Sequence, residues 1–125
     1  MTNISAGLKE AERLLENEIL EVRNDENVSF LRPVIILFSD AGHNTGVDPQ
    51  NIAPSVKTKS DIVTVCFGKN ADERLMKEIA TTPQHCYRCD SGKELRAFLA
   101  SVGKTMTQTI SQNKNATQAL LIIRQ

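Results

Sequence analysis

Tryptophan is absent from this sequence, and its aromatic residues are only four phenylalanines and one tyrosine. Because single-stranded nucleic acid is bound by stacking bases on aromatic side chains, such a surface is not expected here. Net charge is absent as well, since fifteen basic residues balance fifteen acidic ones. No dense cluster of Lys and Arg provides the basic patch that nucleic acid or an anionic membrane attracts. We therefore expect no nucleic-acid partner and no membrane partner.

Long apolar runs are also lacking, since no stretch approaches the ~20 residues that a membrane-spanning helix needs. The amino end is charged and amphipathic, unlike a secretory signal, so we expect a cytoplasmic protein with reduced cysteines. A glycine-rich phosphate loop, paired catalytic carboxylates and internal repeats are not found. The 125 residues, 40% hydrophobic and 24% charged, suit one globular core.

Two short apolar runs rich in Val and Ile predict strands that are buried on both faces. The first covers residues 33–39 and leads into Ser39-Asp40, and the second runs from Asp61 to Phe67 and ends at Gly68. A weaker strand is predicted over residues 84–89. Since ligands are held at the carboxyl ends of parallel strands, Asp40 lies where a site is expected.

Apolar residues at helical spacing and helix-start signals predict the helices. These cover residues 4–22, a segment starting at Asp48-Pro49, residues 70–81, and a long last helix that a Ser91/Glu94 capping box opens. Pro54 should shorten or break the second helix, because an interior proline costs ~3 kcal/mol. Parallel strands joined by crossover helices predict a three-layer α/β fold, with a mostly parallel sheet flanked by helices.

The order of these segments resembles the von Willebrand factor type A domain, an integrin I-like, doubly wound, Rossmann-like fold. The resemblance covers roughly residues 2–104 and is carried by TNISAGLKEAERLL, RPVIILFSDAG, DIVTVCFGKNADERLMKEIATTP and DSGKELRAFLASVG. It implies a protein-interaction module, not an enzyme, built around a metal-ion-dependent adhesion site (MIDAS) for Mg²⁺ or Mn²⁺.

The resemblance also implies that this adhesion site is incomplete. In the family an Asp-x-Ser-x-Ser motif on the first strand supplies most of the direct ligands, and this sequence starts after that point. Thr2 and Asp40 match the remaining metal-site positions. Because Mg²⁺ takes about six oxygen ligands, one hydroxyl and one carboxylate are too few. The alternative interpretation makes Thr2 a helix-start residue and Asp40 a loop carboxylate that caps nearby amides.

Without the family's first strand, the strand at residues 33–39 has an open apolar edge, which is an aggregation hazard. The run ALLIIRQ at residues 119–125 can fill the vacant position as a parallel strand, or two copies can meet as a homodimer. We therefore expect a partial von Willebrand factor A-like domain at residues 1–112. Residues 113–125 would form a C-terminal tail whose strand-like run can complete the sheet.

Three functional hypotheses follow from these patterns. The leading one is a protein-interaction module with a protein partner, which binds at the loop face that contains Thr2, Asp40, Gly42, His43 and Asn44. The second is a truncated or degenerate structural homodimer without metal.

The third hypothesis is a thiol redox or zinc protein that uses Cys86 and Cys89 of the C-Y-R-C motif. Zinc sites normally add a second ligand pair to Cys-x-x-Cys. In an extended segment, moreover, these two side chains would point to opposite faces.

Overall fold

The computed structural model describes residues 3–22, 29–30, 32–40, 48–112, 116–117 and 120–124. The helices are α1 (Ile4–Val22), α2 (Pro49–Lys57), α3 (Glu73–Ile79), α4 (Gly92–Gln112) and a short 3₁₀ helix, η1 (Pro83–His85). The strands are β1 (Ser29–Phe30), β2 (Val34–Ser39), β3 (Asp61–Phe67), β4 (Cys86–Cys89), β5 (Ala116–Thr117) and β6 (Leu120–Arg124). Within these ranges no helix combines the length and apolarity that a membrane crossing requires.

The main sheet has four strands in the order β4-β3-β2-β6, and all of its neighbouring pairs are parallel. β1 and β5 form a separate two-stranded parallel pair. Residues of β2 alternate between two apolar layers: Ile35 and Leu37 face α1, α2 and α3, whereas Ile36 faces α4. Helices therefore cover both faces of the sheet, and the predicted three-layer α/β fold is confirmed.

The tail run lies beside β2 in this structure. β6 pairs with β2 in parallel, from Val34 opposite Leu120 to Phe38 opposite Arg124. Leu121 packs against the core layer that includes α1, while Leu120 and Ile122 on the other face are 39% and 48% exposed. The edge of β2 that the sequence leaves open is thus covered by the chain's own strand. The division of the chain at residue 112 stays a prediction.

The residues that predict helix starts in the sequence form capping hydrogen bonds in the structure. The Asp48 carboxylate accepts from the Gln50 amide at 3.0 Å, with Pro49 in the first turn of α2. Ser91 Oγ accepts from the Glu94 amide at 3.2 Å, and the Glu94 carboxylate accepts from the Asp90 amide at 2.6 Å. The bonds from the Gln50 and Glu94 amides satisfy donors that a helix leaves unpaired in its first turn, so both predicted caps are confirmed.

The sequence places apolar residues at helical spacing along α4 and predicts a buried stripe of Leu95, Phe98, Leu99, Val102 and Met106. The first four pack on the sheet layer that contains Ile36 and are half-buried, not fully buried. The side chain of Met106 lies outside the described part of the chain. Tyr87 of β4 adds a tilted ring contact to Phe98, with ring centroids 4.8 Å apart.

Two predicted elements differ from the observed ones. The helix expected over residues 70–81 is shorter, because Asp72 caps it through the Leu75 amide at 3.1 Å. At its other end the Thr81 amide leaves the helix and donates to Ile62 of β3 at 2.9 Å. The strand expected over residues 84–89 starts only at Cys86, since His85 closes a 3₁₀ turn by donating its amide to Thr82 at 2.9 Å.

The sequence predicts a short or a broken second helix, and the structure has a short helix that Pro54 does not break. The helix continues through it to Lys57, and Pro54 lies on the exposed side while Ala53 and Val56 are buried. A proline removes a single backbone donor, so a nine-residue helix anchored by three buried residues, Pro49, Ala53 and Val56, can continue. α2 is nevertheless short, as predicted.

Arg32 joins three segments where β2 begins. Its guanidinium donates to the carbonyl oxygen of Lys57 at the end of α2, to those of Thr58 and Ser60 after it, and to the Asp61 carboxylate at 2.7 Å. A planar fork with several fixed donors suits this arrangement, which a lysine ammonium could not reproduce. This role could not be predicted from local sequence patterns, because the carbonyl groups that Arg32 binds come close to it only in the folded chain.

Candidate functional site: the carboxyl edge of the sheet

Because all main-sheet strands are parallel, their carboxyl ends meet at one edge. Asp40 follows β2 at this edge and is exposed, as the sequence predicts. Asp90 follows β4 at the same edge and is paired with Arg88, Nε to Oδ1, at 3.2 Å. The exposed carboxylate of Asp40 is thus presented by a strand near the middle of the sheet, where parallel α/β folds hold their ligands.

Gly68 fixes the neighbouring turn of this edge. Its φ of +81° lies in the left-handed region that favours glycine, and it directs the chain from β3 toward α3. The Gly68 amide donates to the Cys89 carbonyl at 3.2 Å, and Arg88 donates to the Gly68 carbonyl at 2.9 Å. The carboxyl ends of β3 and β4 are therefore tied together into one rigid rim beside β2.

Four other residues of the predicted loop face are Thr2, Gly42, His43 and Asn44, and they lie outside the described residues. Asn3, which follows Thr2, is described, and its side-chain oxygen accepts from the Ala6 amide at 3.0 Å. This bond makes Asn3 a capping residue for the first turn of α1. The structure places Asp40 as predicted, and the pairing of Thr2 with Asp40 stays a prediction.

The described residues do not provide a complete divalent-ion site. They contain no group of three or more His, Cys, Asp or Glu side chains that could hold a metal. Mg²⁺ takes about six oxygen ligands in near-octahedral array and usually needs carboxylates for charge balance. Asp40 alone does not match that donor set, so no step of a mechanism is assigned to a metal at this position.

A cavity of about 410 Å³ lies between α2 and α3. Its polar lining includes Asp48, Gln50, Asp72 and Glu78. The first carboxylate caps α2, the second caps α3, and the third accepts from the Gln50 side chain. These three carboxylates already accept hydrogen bonds within the fold. The cavity is therefore explained by the packing of α2 against α3.

The three cysteines occupy two different faces of the sheet. Cys89 packs in the layer of α4, whereas Cys86 and Cys66 pack in the layer of the other helices. Cys86 and Cys89 therefore face apart, which does not suit the zinc or redox pair considered from the sequence. The close pair is Cys66 and Cys86, with sulfur atoms 4.0 Å apart. Burial and the adjacent Cys86 raise the pKa of the Cys66 thiol to about 12.

Sequence reasoning missed this pair because it depends on strand register. Cys66 lies opposite Arg88, and Cys86 lies opposite Thr64, so the two cysteines are offset by two positions on neighbouring strands. Nothing local in the sequence fixes that offset. The alternation of side chains does predict that both cysteines can share a face once the strands are paired.

Comparison with known proteins identifies a family over most of the chain. A family model described as von Willebrand factor type A domain matches residues 1–101. No curated protein and no solved structure matches the chain.

Proposed function

Since the chain belongs to the von Willebrand factor type A domain family, we propose that it is a module which binds a protein partner at the carboxyl edge of its sheet, around Asp40. Domains of this family are generally interaction modules and not enzymes. The observation that carries the proposal is the exposed carboxylate of Asp40 at the end of a buried strand of a parallel sheet.

The structure of the rim supports a role in binding a partner. A rigid backbone turn at Gly68 and an ion pair between Arg88 and Asp90 hold the neighbouring loops in place. A preorganised surface loses little conformational entropy on binding, which favours recognition of a partner.

A peptide selection tests this proposal. A displayed random-peptide library is enriched on the wild-type chain, and the enriched clones are assayed against Asp40→Lys and Glu16→Lys. Both variants reverse one charge, and Glu16 of α1 is the control because it pairs with Lys59, which precedes the amino end of β3, away from the carboxyl edge. We expect clones that bind the wild type and Glu16→Lys and that lose at least tenfold in affinity for Asp40→Lys. Failure to enrich any clone, or equal binding to Asp40→Lys, would contradict the proposal.

We further propose that the adhesion site is incomplete, and that any ion at Asp40 would need ligands from a second polypeptide. Isothermal titration of the chain alone with Mg²⁺ or Mn²⁺ is then expected to give no saturable heat at millimolar concentration. The physical reason is that water competes successfully for an ion that a single carboxylate holds. A saturable signal that Asp40→Asn abolishes and Asp90→Asn retains would show that the chain builds a complete site unaided.

A second candidate function is a structural homodimer joined at β6. β6 is at the edge of the main sheet, and Leu120 and Ile122 expose apolar surface there. An exposed apolar edge strand is a template for pairing with another chain. The formal net charge of zero means that two copies do not repel each other strongly. A two-fold axis near Ile122 would make such a contact self-complementary.

Light scattering at increasing protein concentration tests the dimer. We expect the mass to rise toward that of two chains for the wild type and to stay at that of one chain for Ile122→Lys, because lysine blocks edge pairing. Leu14→Lys is the control, since Leu14 is an apolar residue that is 41% exposed on helix α1 and not on a strand edge. A wild type that remains monomeric at all concentrations would eliminate this candidate, as would a dimer that Ile122→Lys leaves unchanged.

A further inference from the structure

The helix α4 covers only part of its face of the main sheet. Four strands at a spacing of ~4.8 Å make a sheet about 19 Å wide, whereas a helix is about 10 Å across, so one helix covers about two strands. Among the described helices, α4 alone packs on this face. It lies nearest to β4, where Phe98 contacts the ring of Tyr87. The described helices therefore leave uncovered the half of this face that β2 and β6 form.

The uncovered half is apolar. Val34 of β2 lies opposite Leu120 of β6, and Ile36 lies opposite Ile122, so these side chains share one face. Leu120 and Ile122 are exposed, and Val34 and Phe38 are only half-buried. We call Val34, Phe38, Leu120 and Ile122 the open strip. Because these residues lie on two paired strands, they form one continuous apolar surface.

The dimensions of the open strip match those of one helix. β6 pairs with β2 over five residues, and at ~3.3 Å per residue this gives a length of about 17 Å. Two strands make the strip about 10 Å wide. A helix of about 11 residues is about 17 Å long and about 10 Å across. A stable dimer buries about 800 Å² on each partner, several times the ~170 Å² that these dimensions allow, so the strip is too small to hold a second copy by itself.

The position of the open strip favours a helix over an extended peptide. The strip lies on the face of the sheet, whereas the backbone hydrogen bonds of the strands run within the sheet. An extended peptide laid on this face would bury backbone N–H and C=O groups without partners, but a helix pairs these groups internally. A helix on the strip would also lie beside α4, at about the 8–10 Å separation that packed helices adopt.

We propose that the open strip is a docking site for an amphipathic helix of another protein. The helix has about three turns and presents apolar side chains at positions i, i+3, i+4 and i+7 to the strip, with polar residues on its outer side. Pairing of β6 with a second copy would use the outer backbone edge of β6 and leave this face open. The strip is also distinct from the surface around Asp40, which lies at the carboxyl edge of the sheet.

A displayed library of helical peptides tests the proposal. The peptides have about 15 residues on a framework of Ala, Glu and Lys, which favours a helix, and positions i, i+3, i+4 and i+7 are randomised among apolar residues. Peptides enriched on the wild-type chain are synthesised, and their affinities are measured by fluorescence polarisation. We expect Ile122→Glu to weaken binding about tenfold or more, because it places a charge in the apolar contact. Leu14→Glu, at an exposed leucine of α1, is the matched control and should bind like the wild type, as should Asp40→Lys.

The conformation of the bound peptide separates this proposal from pairing at the edge of β6. NMR of an isotope-labelled peptide in the complex is expected to show contacts between residues three and four apart, as in a helix. Circular dichroism checks that Ile122→Glu is folded. If it is not, Leu120→Glu, at the other exposed position of the strip, decides.

Several results would overturn the proposal. They are failure to enrich any peptide, undiminished binding to folded Ile122→Glu, loss of binding to Leu14→Glu, and an extended conformation of the bound peptide. Binding that Asp40→Lys abolishes and Ile122→Glu retains would also overturn it, and would support the surface around Asp40 instead.

Discussion

A chain shortened to residues 1–112 is expected to lose cooperative folding. The deletion removes β6, whose five residues pair with Val34–Phe38 of β2, and takes Leu121 out of the core. At about 1 kcal/mol for each net hydrogen bond, the ladder alone stabilises the fold by on the order of 5 kcal/mol. Total stabilities of natural domains are only about 5–15 kcal/mol, so the loss is comparable to the whole.

Urea denaturation followed by circular dichroism measures this effect. The full chain should show one cooperative transition, and the shortened chain should show none or should aggregate through the bare edge of β2. Two substitutions at neighbouring positions of the full-length chain test whether the packing of β6, and not merely the length of the tail, stabilises the fold. Leu121→Asp, on the core side, should cost at least ~2 kcal/mol, whereas Ile122→Asp, which is 48% exposed, should cost less than ~1 kcal/mol. A shortened chain that unfolds at the same urea concentration as the full chain would contradict the prediction.

Leu37→Ala is expected to lower the free energy of unfolding strongly, because it removes a fully buried side chain from a central strand. Leu37 is 0% exposed and belongs to β2, which lies between β3 and β6. Strands on both sides limit how far the structure can collapse into the space that the substitution leaves. Leucine-to-alanine changes at such sites cost about 2–5 kcal/mol, and the upper part of that range applies when the cavity persists.

The same urea measurement tests this prediction. The slope of the unfolding free energy against urea concentration should be the same for the variant and the wild type. Leu14→Ala is the matched control, because Leu14 is the same residue type but is 41% exposed on α1. It should change the unfolding free energy by less than ~0.5 kcal/mol. Equal effects of the two substitutions would show that β2 is not at the centre of the core.

Local patterns predicted the elements whose signals are complete in the sequence. The apolar runs of β2 and β3, the periodicity of α1 and the capping residues Asp48 and Ser91 all correspond to observed structure. The errors occurred where tertiary contacts determine the end of a helix or strand. α3 ends before Thr81 because the Thr81 amide donates to the Ile62 carbonyl, and no residue near Thr81 in the sequence indicates that bond.

The candidate site was predictable only in part, for a similar physical reason. Asp40 could be placed at the carboxyl edge, since strand direction follows from the parallel topology. The closeness of Cys66 and Cys86 could not, because strand register is set by packing of the whole sheet. The hydrogen bonds by which Arg32 joins neighbouring segments were missed for the same reason, because its acceptors are distant from it in the sequence.

In the structure, one chain provides both β2 and the strand β6 that pairs with it at the edge of the main sheet. NMR on an equal mixture of isotope-labelled and unlabelled chains tests this claim most directly. We predict nuclear Overhauser contacts between Ile36 and Ile122, which are paired across β2 and β6, in the unfiltered spectrum and not in the spectrum filtered for contacts between chains. Appearance of these contacts only between chains, or their absence from both spectra, would contradict it.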